Sequence, residues 1–439
     1  MRAFTPPLKF TLLIALTALF TVLSAVQMEY LNGPRYWRWP WRDLPYVPTY
    51  LTILWAGMPI LAGVWLAKQR TWLAMALILL GAAALQWGGA HINGPSAAER
   101  TRAVVKSVEA TSYLYSAQIV KPGWLADYPA VMKDGEHHAR NKPPGPIWFY
   151  RTLLDLGVPD PTLIAGILVG GLALLSVLAT FYLSKALGQG PEASVLAAAL
   201  MATAPGFVLF FPEFDQALPA IGAWMLITWI NALKQPPGPA AIKSAALFGG
   251  VLTLALLWSY ALLTLGLVLG LITIIEGLRA EVWKTTLIQI GTALATVVII
   301  HAALWGLFGY DPIATFFTAL ENQRDLLTQI HRPWPLTIPF DVLDLILGFG
   351  WIAAALVIIG LKSSSINHAP LMVLSILVII ITGLLPGETA RVLLFTMPML
   401  AVIAGTQLLN WPRLLQVGTL ALALLGVAAT VRTMVFIAV

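Results

Sequence analysis

The sequence predicts an all-α polytopic membrane protein with about thirteen transmembrane helices (eleven to thirteen) and a large outer loop containing amphipathic interfacial helices. Apolar runs of about 18 residues or more recur almost from end to end, each long enough to cross a hydrocarbon core about 30 Å thick. Charged residues make up only 10% of the chain, where soluble domains carry roughly a quarter, and mean hydropathy is +0.81. Basic residues recur in one alternating set of the connections between runs, which orients the whole chain.

The spans are read at 9–27, 49–68, 72–90, 161–187, 191–211, 214–234, 243–259, 261–277, 284–307, 340–361, 369–386, 391–409 and 414–436. The first, "FTLLIALTALFTVLSAV", lacks a small-residue cleavage site and runs into "QMEYLNGPRYWRWPW", so it reads as an uncleaved helix rather than a signal peptide. The apolar run around "WSY" at 258–260 would extend about 50 Å as one helix, too long for one crossing. Dividing it there keeps Arg279 and Lys284 on the same side as Lys68, Arg70, Lys185, Lys234, Lys243 and Arg413, the cytoplasmic side by the positive-inside rule. The resulting organisation is an N-terminal set of helices (1–90), an outer catalytic loop (91–160) and a helical bundle (161–439) with a second outer loop at 308–339.

This topology puts all but Glu192, Glu276 and Glu281 of the 20 acidic residues on the outer face. Acidic residues hardly influence orientation, so the asymmetry points to chemistry on that face. The chain has no cysteine, which excludes disulfides and thiolate metal sites. Its net charge of +6 is scattered between spans rather than gathered in a run, so the partner is the lipid bilayer and no nucleic acid is expected.

Within the first outer loop, "AAERTRAVVKSVEATSYLYSAQIV" (97–120) reads as one amphipathic interfacial helix. Glu109 and Tyr113, four apart, would then share a face, with Ala117 one turn on. Pairing with Lys106 or Arg102 is the structural alternative for Glu109, and capping of a turn is that for Asp127 in "LADYP". "EHHARNKPPGPIWFY" follows, with His137, His138, Arg140 and Lys142 ahead of three prolines and an aromatic run suited to the interface. Adjacent histidines rarely converge on one metal ion, so attraction to an anionic lipid headgroup explains these groups better. Asp215 opens a span after "FPEF", where helix capping competes with function. Glu388 and Arg391 stand three apart at another span start, and charges so near the hydrocarbon are functional candidates. Arg324, His331 and Arg332 lie in the second outer loop, within reach of a bound substrate.

These motifs together resemble the integral-membrane glycosyltransferases of the GT-C superfamily, which use polyprenyl-phosphate sugars. The branch of protein O-mannosyltransferases and the lipid A aminoarabinose transferase (glycosyltransferase family 39) is the nearest. "EATSYLYSA" matches the family's acid, tyrosine and small residue in the first large loop, and "NKPPGPIWFY" its Pro-Pro motif. "ATAPGFVLFFPEFDQALPAIGAW" resembles its span–turn–span with an acid, and "GETARVLLFTMPML" its late Glu-x-x-Arg turn. The family's loop acid is usually Asp, whereas here Glu109 is followed by Ala110, and the loop comes after the third span, implying an extra hairpin at 28–90.

The resemblance implies transfer of a sugar from a polyprenyl-phosphate-linked donor to a glycan, lipid or protein acceptor, on the outer face of a membrane such as the bacterial inner membrane. Inverting attack needs one carboxylate base, typically worth about 10²–10⁴-fold, and cations for the departing phosphate. Glu109 is the expected base with Asp127 in reserve, and Lys142 takes the family's phosphate-contacting position. No cofactor is required; the outer acids have the chemistry to bind a divalent cation such as Mg or Mn, although no ligand spacing demands one. Two other classes share the substrate. A transporter or flippase for lipid-linked sugars would place polar groups at mid-membrane on broken helices in repeated halves, whereas the span centres here carry almost no charge and no repeat is evident. An O-antigen ligase or polymerase usually has its large loop late in the chain, and here it is early.

Overall fold

A computed structural model describes residues 5–33, 38–136, 138–280, 282–330, 332–361 and 365–437. Among them, helices are the regular elements, with one isolated antiparallel bridge between Trp41 and Met434. Among the described residues, nine helices are long and apolar enough to cross a membrane, or ten if the bent pair Ile338–Phe349 and Trp351–Leu361 is one span. The chain is a multi-pass membrane protein.

The long apolar run near 258 divides as its length requires: helix Pro239–Trp258 ends at Ser259, whose extended backbone (φ −163°, ψ 128°) starts the next span, Tyr260–Gly277. Elsewhere a predicted span is a broken or short helix. The 191–211 segment is Pro191–Ala202 followed by Pro205–Leu209, because Ala204 is held extended (ψ 129°) ahead of Pro205. Twelve helical residues rise only about 18 Å, short of a full crossing. Ala369–Ile381 and Leu394–Leu409 are likewise short apolar helices. The 340–361 segment bends by 109° at Gly350, whose φ of +98° suits only glycine.

The single interfacial helix expected over 97–120 is instead two, Ala97–Lys106 and Tyr113–Ile119. The break has a local cause: the Ser107 hydroxyl accepts the Ala110 N–H (3.0 Å), its carbonyl accepts the Thr111 N–H, and Ser112 takes a left-handed conformation (φ +52°). Side-chain oxygens that compete for backbone donors end the helix at Lys106, and Glu109 falls in the turn.

The chain forms two compact units. The first comprises residues 1–101, 169–223 and 333–438, the second residues 102–168 and 224–332. Small residues let backbones approach in the first: a Cβ on Gly405 would lie 2.6 Å from the Ala197 backbone nitrogen. In the second, helix Pro239–Trp258 meets Trp283–Phe308 at Gly249, where a Cβ would lie 2.6 Å from the Ala293 carbonyl. Helix Trp283–Phe308 exposes Leu287, Ile288, Leu294, Val298, Ile299 and Leu307, a face suited to lipid rather than water.

Candidate active site

In the first unit, four charged side chains converge from two turns. Arg391 stands 2.6 Å from Glu388, 3.6 Å from Glu213 and 3.8 Å from Asp215. The turn at the start of span Phe214–Leu233 supplies Glu213 and Asp215. It is fixed from within by Gln216, whose amide donates to the carbonyls of Phe207 (2.6 Å) and Gly206 (3.3 Å). Glu388 and Arg391 come from the turn around the short helix Thr389–Val392, and Glu388 holds a left-handed backbone (φ +51°).

A second tier holds that turn. The bent helix Ile338–Phe349 carries two fully buried acids, Asp341 and Asp344. Asp341 accepts the Gly387 N–H (2.8 Å); Asp344 accepts the Ala390 N–H (2.9 Å) and the Trp39 indole N–H (2.6 Å). The Thr389 hydroxyl donates to the Asp341 carbonyl. Each acid thus replaces lost hydration with backbone and indole donors, and clamps the residues either side of Glu388. Sequence reading missed both acids, although an acid inside an apolar run is the signal that marks a functional candidate.

Burial divides the three carboxylates. Glu213 is only 3% exposed, and its carboxyl is pushed up to about 8, chiefly by burial. Arg391 opposes that shift, while Asp215 and Glu388 add to it. At neutral pH Glu213 is therefore mostly protonated, a donor rather than a base. The more open Asp215 and Glu388 side chains (14% and 25% exposed) face the same guanidinium.

In the second unit, the segment after the first-loop turn is pinned to its neighbours. The His138 ring Nε2 meets the Glu109 carbonyl oxygen (3.0 Å), and the Ala139 N–H donates to the Ser112 hydroxyl (3.1 Å). The Arg140 carbonyl accepts the Asn322 amide (2.6 Å), and Asn141 donates to Gln323 (2.6 Å). The Lys142 ammonium reaches the Ser259 hydroxyl (3.3 Å), while its carbonyl accepts the Tyr128 hydroxyl (2.9 Å). Tyr128 is fully buried, and burial first, then Tyr310, pushes its phenol well up.

The other expected residues separate. Glu109 is exposed, and Arg102, its suggested partner, instead pairs with Asp160 at 2.7 Å. Tyr113 and Ala117 are buried in helix Tyr113–Ile119. Asp127 is exposed at the start of helix Tyr128–Lys133 without a capping side-chain hydrogen bond. Arg324 is exposed on helix Pro312–Ile330, and Arg332 is partly buried beyond that helix. His137 and His331 lie outside the described residues. Among the described residues, no group of three or more His, Asp or Glu side chains is placed to hold a metal ion.

No family model matches the chain, and no curated protein matches it. Among solved structures it is similar to ArnT from Cupriavidus metallidurans in the apo state, with 16% identity, 72% of this chain and 61% of that one covered, and a TM-score of 0.45. It is also similar to the same ArnT bound to undecaprenyl phosphate (15% identity, 69% and 58% covered, TM-score 0.45). A third similarity is to the oligosaccharyltransferase AglB of Archaeoglobus fulgidus, in complex with an inhibitory peptide and a dolichol-phosphate (13% identity, 78% and 50% covered, TM-score 0.43). The chain spans about three fifths of the length of the ArnT structures it matches.

Proposed function

We propose that this protein is a membrane glycosyltransferase that moves a sugar from a polyprenyl-phosphate donor to an acceptor hydroxyl on the outer membrane face, with inversion. The observation that carries this reading is the Arg391 cluster, where carboxylates in different environments share one guanidinium at the ends of apolar helices. The acceptor oxygen attacks the anomeric carbon, the bond from that carbon to the phosphate oxygen breaks, and the phosphate leaves with the electron pair. The acceptor's proton passes to a carboxylate. Glu213 already holds a proton near neutral pH, and Glu388 grips Arg391 at 2.6 Å. Asp215, partly exposed beside Arg391 at the start of a span, is the base chosen in this reading. Glu109 and Asp127 are the bases that the motif resemblance would choose instead. Lys142, in the second unit, is the residue to which the motif resemblance would give the donor phosphate. A glycan, lipid or protein fits the acceptor role, and no step requires a cofactor.

A flippase is the second reading, favoured by the 109° break within 338–361, since transporters build sites on discontinuous helices. The acids on that broken helix hold the 387–390 turn, which suits support of the cluster better than a transport path.

The deciding experiment measures transfer from radiolabelled polyprenyl-phosphate sugars to membrane acceptors, with Asp215→Asn and Glu109→Gln at matched expression. Loss of transfer in Asp215→Asn with donor binding retained supports the reading. Loss only in Glu109→Gln moves the base to the first loop. No transfer by the wild type from any donor, with lipid-linked sugar crossing the bilayer instead, overturns the enzyme in favour of the flippase.

A further inference from the structure

In the second unit, the backbone and the side-chain tip of Lys142 are held by different elements. Lys142 precedes Pro143, and the proline ring favours the extended conformation that Lys142 adopts (φ −109°, ψ 149°). Its carbonyl accepts the Tyr128 hydroxyl (2.9 Å). Three residues on, Gly145 lies close against the last turn of helix Pro239–Trp258. A Cβ there would stand 2.3 Å from the Leu257 carbonyl oxygen, so only glycine permits the approach. The contact brings the segment to the C-terminal end of that helix, where a cation is favoured. Ser259, the first residue past the helix, is buried and extended (φ −163°, ψ 128°). Its hydroxyl accepts an N–H of the Lys142 ammonium at 3.3 Å.

We infer that Ser259 is a positioning residue, whose hydroxyl sets the Lys142 ammonium in place for the phosphate of the lipid carrier. The inference deepens the proposed sugar transfer and rests on it. Lysine carries a compact charge on a flexible four-carbon stem, so its location has to be imposed by neighbours. Ordering that stem costs side-chain entropy, and an anchor already in place removes the cost from ligand binding. A hydroxyl takes one of the ammonium's three N–H donors and, being neutral, does not itself cancel the charge. Its depth is also fixed, because Ser259 separates helix Pro239–Trp258 from span Tyr260–Gly277.

The test measures binding of a polyprenyl phosphate and of the matching polyprenol to the full chain in neutral detergent, so it needs no turnover. The wild type should prefer the phosphate by at least about tenfold. Ser259→Ala should weaken phosphate binding about three- to tenfold and leave polyprenol binding unchanged. Ser259→Thr, which keeps the hydroxyl, should retain the wild-type preference. Lys142→Gln should abolish the preference, and adding Ser259→Ala to it should cost nothing further, because the hydroxyl acts through the ammonium. Ser259→Cys, close in size but a weak acceptor, carries the same expectation as the alanine variant should that one fail to fold. Additive losses for the two residues overturn the inference. So does a lower melting midpoint with unchanged phosphate preference in Ser259→Ala or Ser259→Cys, which would leave Ser259 a helix-end residue only. Either result leaves the transfer reading standing. A wild type that binds phosphate and alcohol alike overturns the inference and the lipid-phosphate donor together.

Discussion

Glu213 shows what one buried carboxyl does to the whole site. Its carboxyl sits at about 8 in the fold and near the ordinary 4.5 once unfolded. The folded state therefore retains a proton that the unfolded state releases. Stability falls as pH rises from about 4.5 to 8, and the full cost is present above 8. Glu213→Gln should remove this slope: its thermal midpoint should exceed that of the wild type at pH 9 and converge on it near pH 5. Equal slopes for both proteins in a pH series of melts would show that Glu213 ionises freely. Asp344→Asn addresses the support beneath Arg391. It removes the charge that gathers the Ala390 amide and Trp39 indole, leaving one oxygen for donors that now use both. Transfer should fall by about 10-fold or more through kcat, with donor KM little changed, because the 387–391 turn loosens while donor contacts stay. A matched loss in kcat and melting temperature, recovered together on cooling, would reduce Asp344 to a purely structural role. Asp215, Glu388 and Arg391 were legible in the sequence because each lies at a polar turn beside an apolar run. Asp341 and Asp344 were not, because hydropathy averaged over 340–361 hides two acids that the fold satisfies with donors from remote segments.

The same asymmetry holds for elements. Apolar length and the interruption at Ser259 were legible, since both are local properties of the chain. The breaks at 107–112 and 350 depend on side-chain oxygens competing for backbone donors and on a positive φ, and neither alters hydropathy. Gly348 makes the consequence testable. It sits on helix Ile338–Phe349 where a Cβ would lie 2.7 Å from the Ala390 carbonyl oxygen and 2.8 Å from its Cα. Backbone, not a flexible side-chain end, must yield. Gly348→Ala should therefore cost roughly 1–3 kcal/mol by overpacking and displace the turn that carries Arg391. Gly250→Ala is the internal control: nothing lies within 4 Å of its Cβ position, so the variant should gain about 0.5–1 kcal/mol from helix propensity. Denaturation of the two variants beside the wild type checks both signs, and transfer by Gly348→Ala should fall further than its stability alone explains.

At the scale of the molecule, sidedness is the property on which the enzymatic reading depends. By the positive-inside rule, basic connections at Lys68, Lys185, Lys243 and Lys284 are expected on the cytoplasmic face, and residues 91–160 and the Glu388–Arg391 turn are expected outside. A donor carried by a lipid on the outer leaflet can meet the cluster only if that assignment holds. The chain contains no cysteine, which makes it a clean background for single-cysteine labelling. Glu109→Cys lies on an exposed turn, and Lys243→Cys lies near the start of helix Pro239–Trp258. In intact cells a membrane-impermeant maleimide should label Glu109→Cys at once and Lys243→Cys only after permeabilisation. Opposite labelling of the pair would invert the topology and place the polar chemistry on the cytoplasmic side. Labelling of both from outside would break the alternation on which the span count rests. The division at Ser259 is tested by the same series, because a single helix across 243–277 would bring Lys284→Cys to the outer face while leaving Lys243→Cys inside.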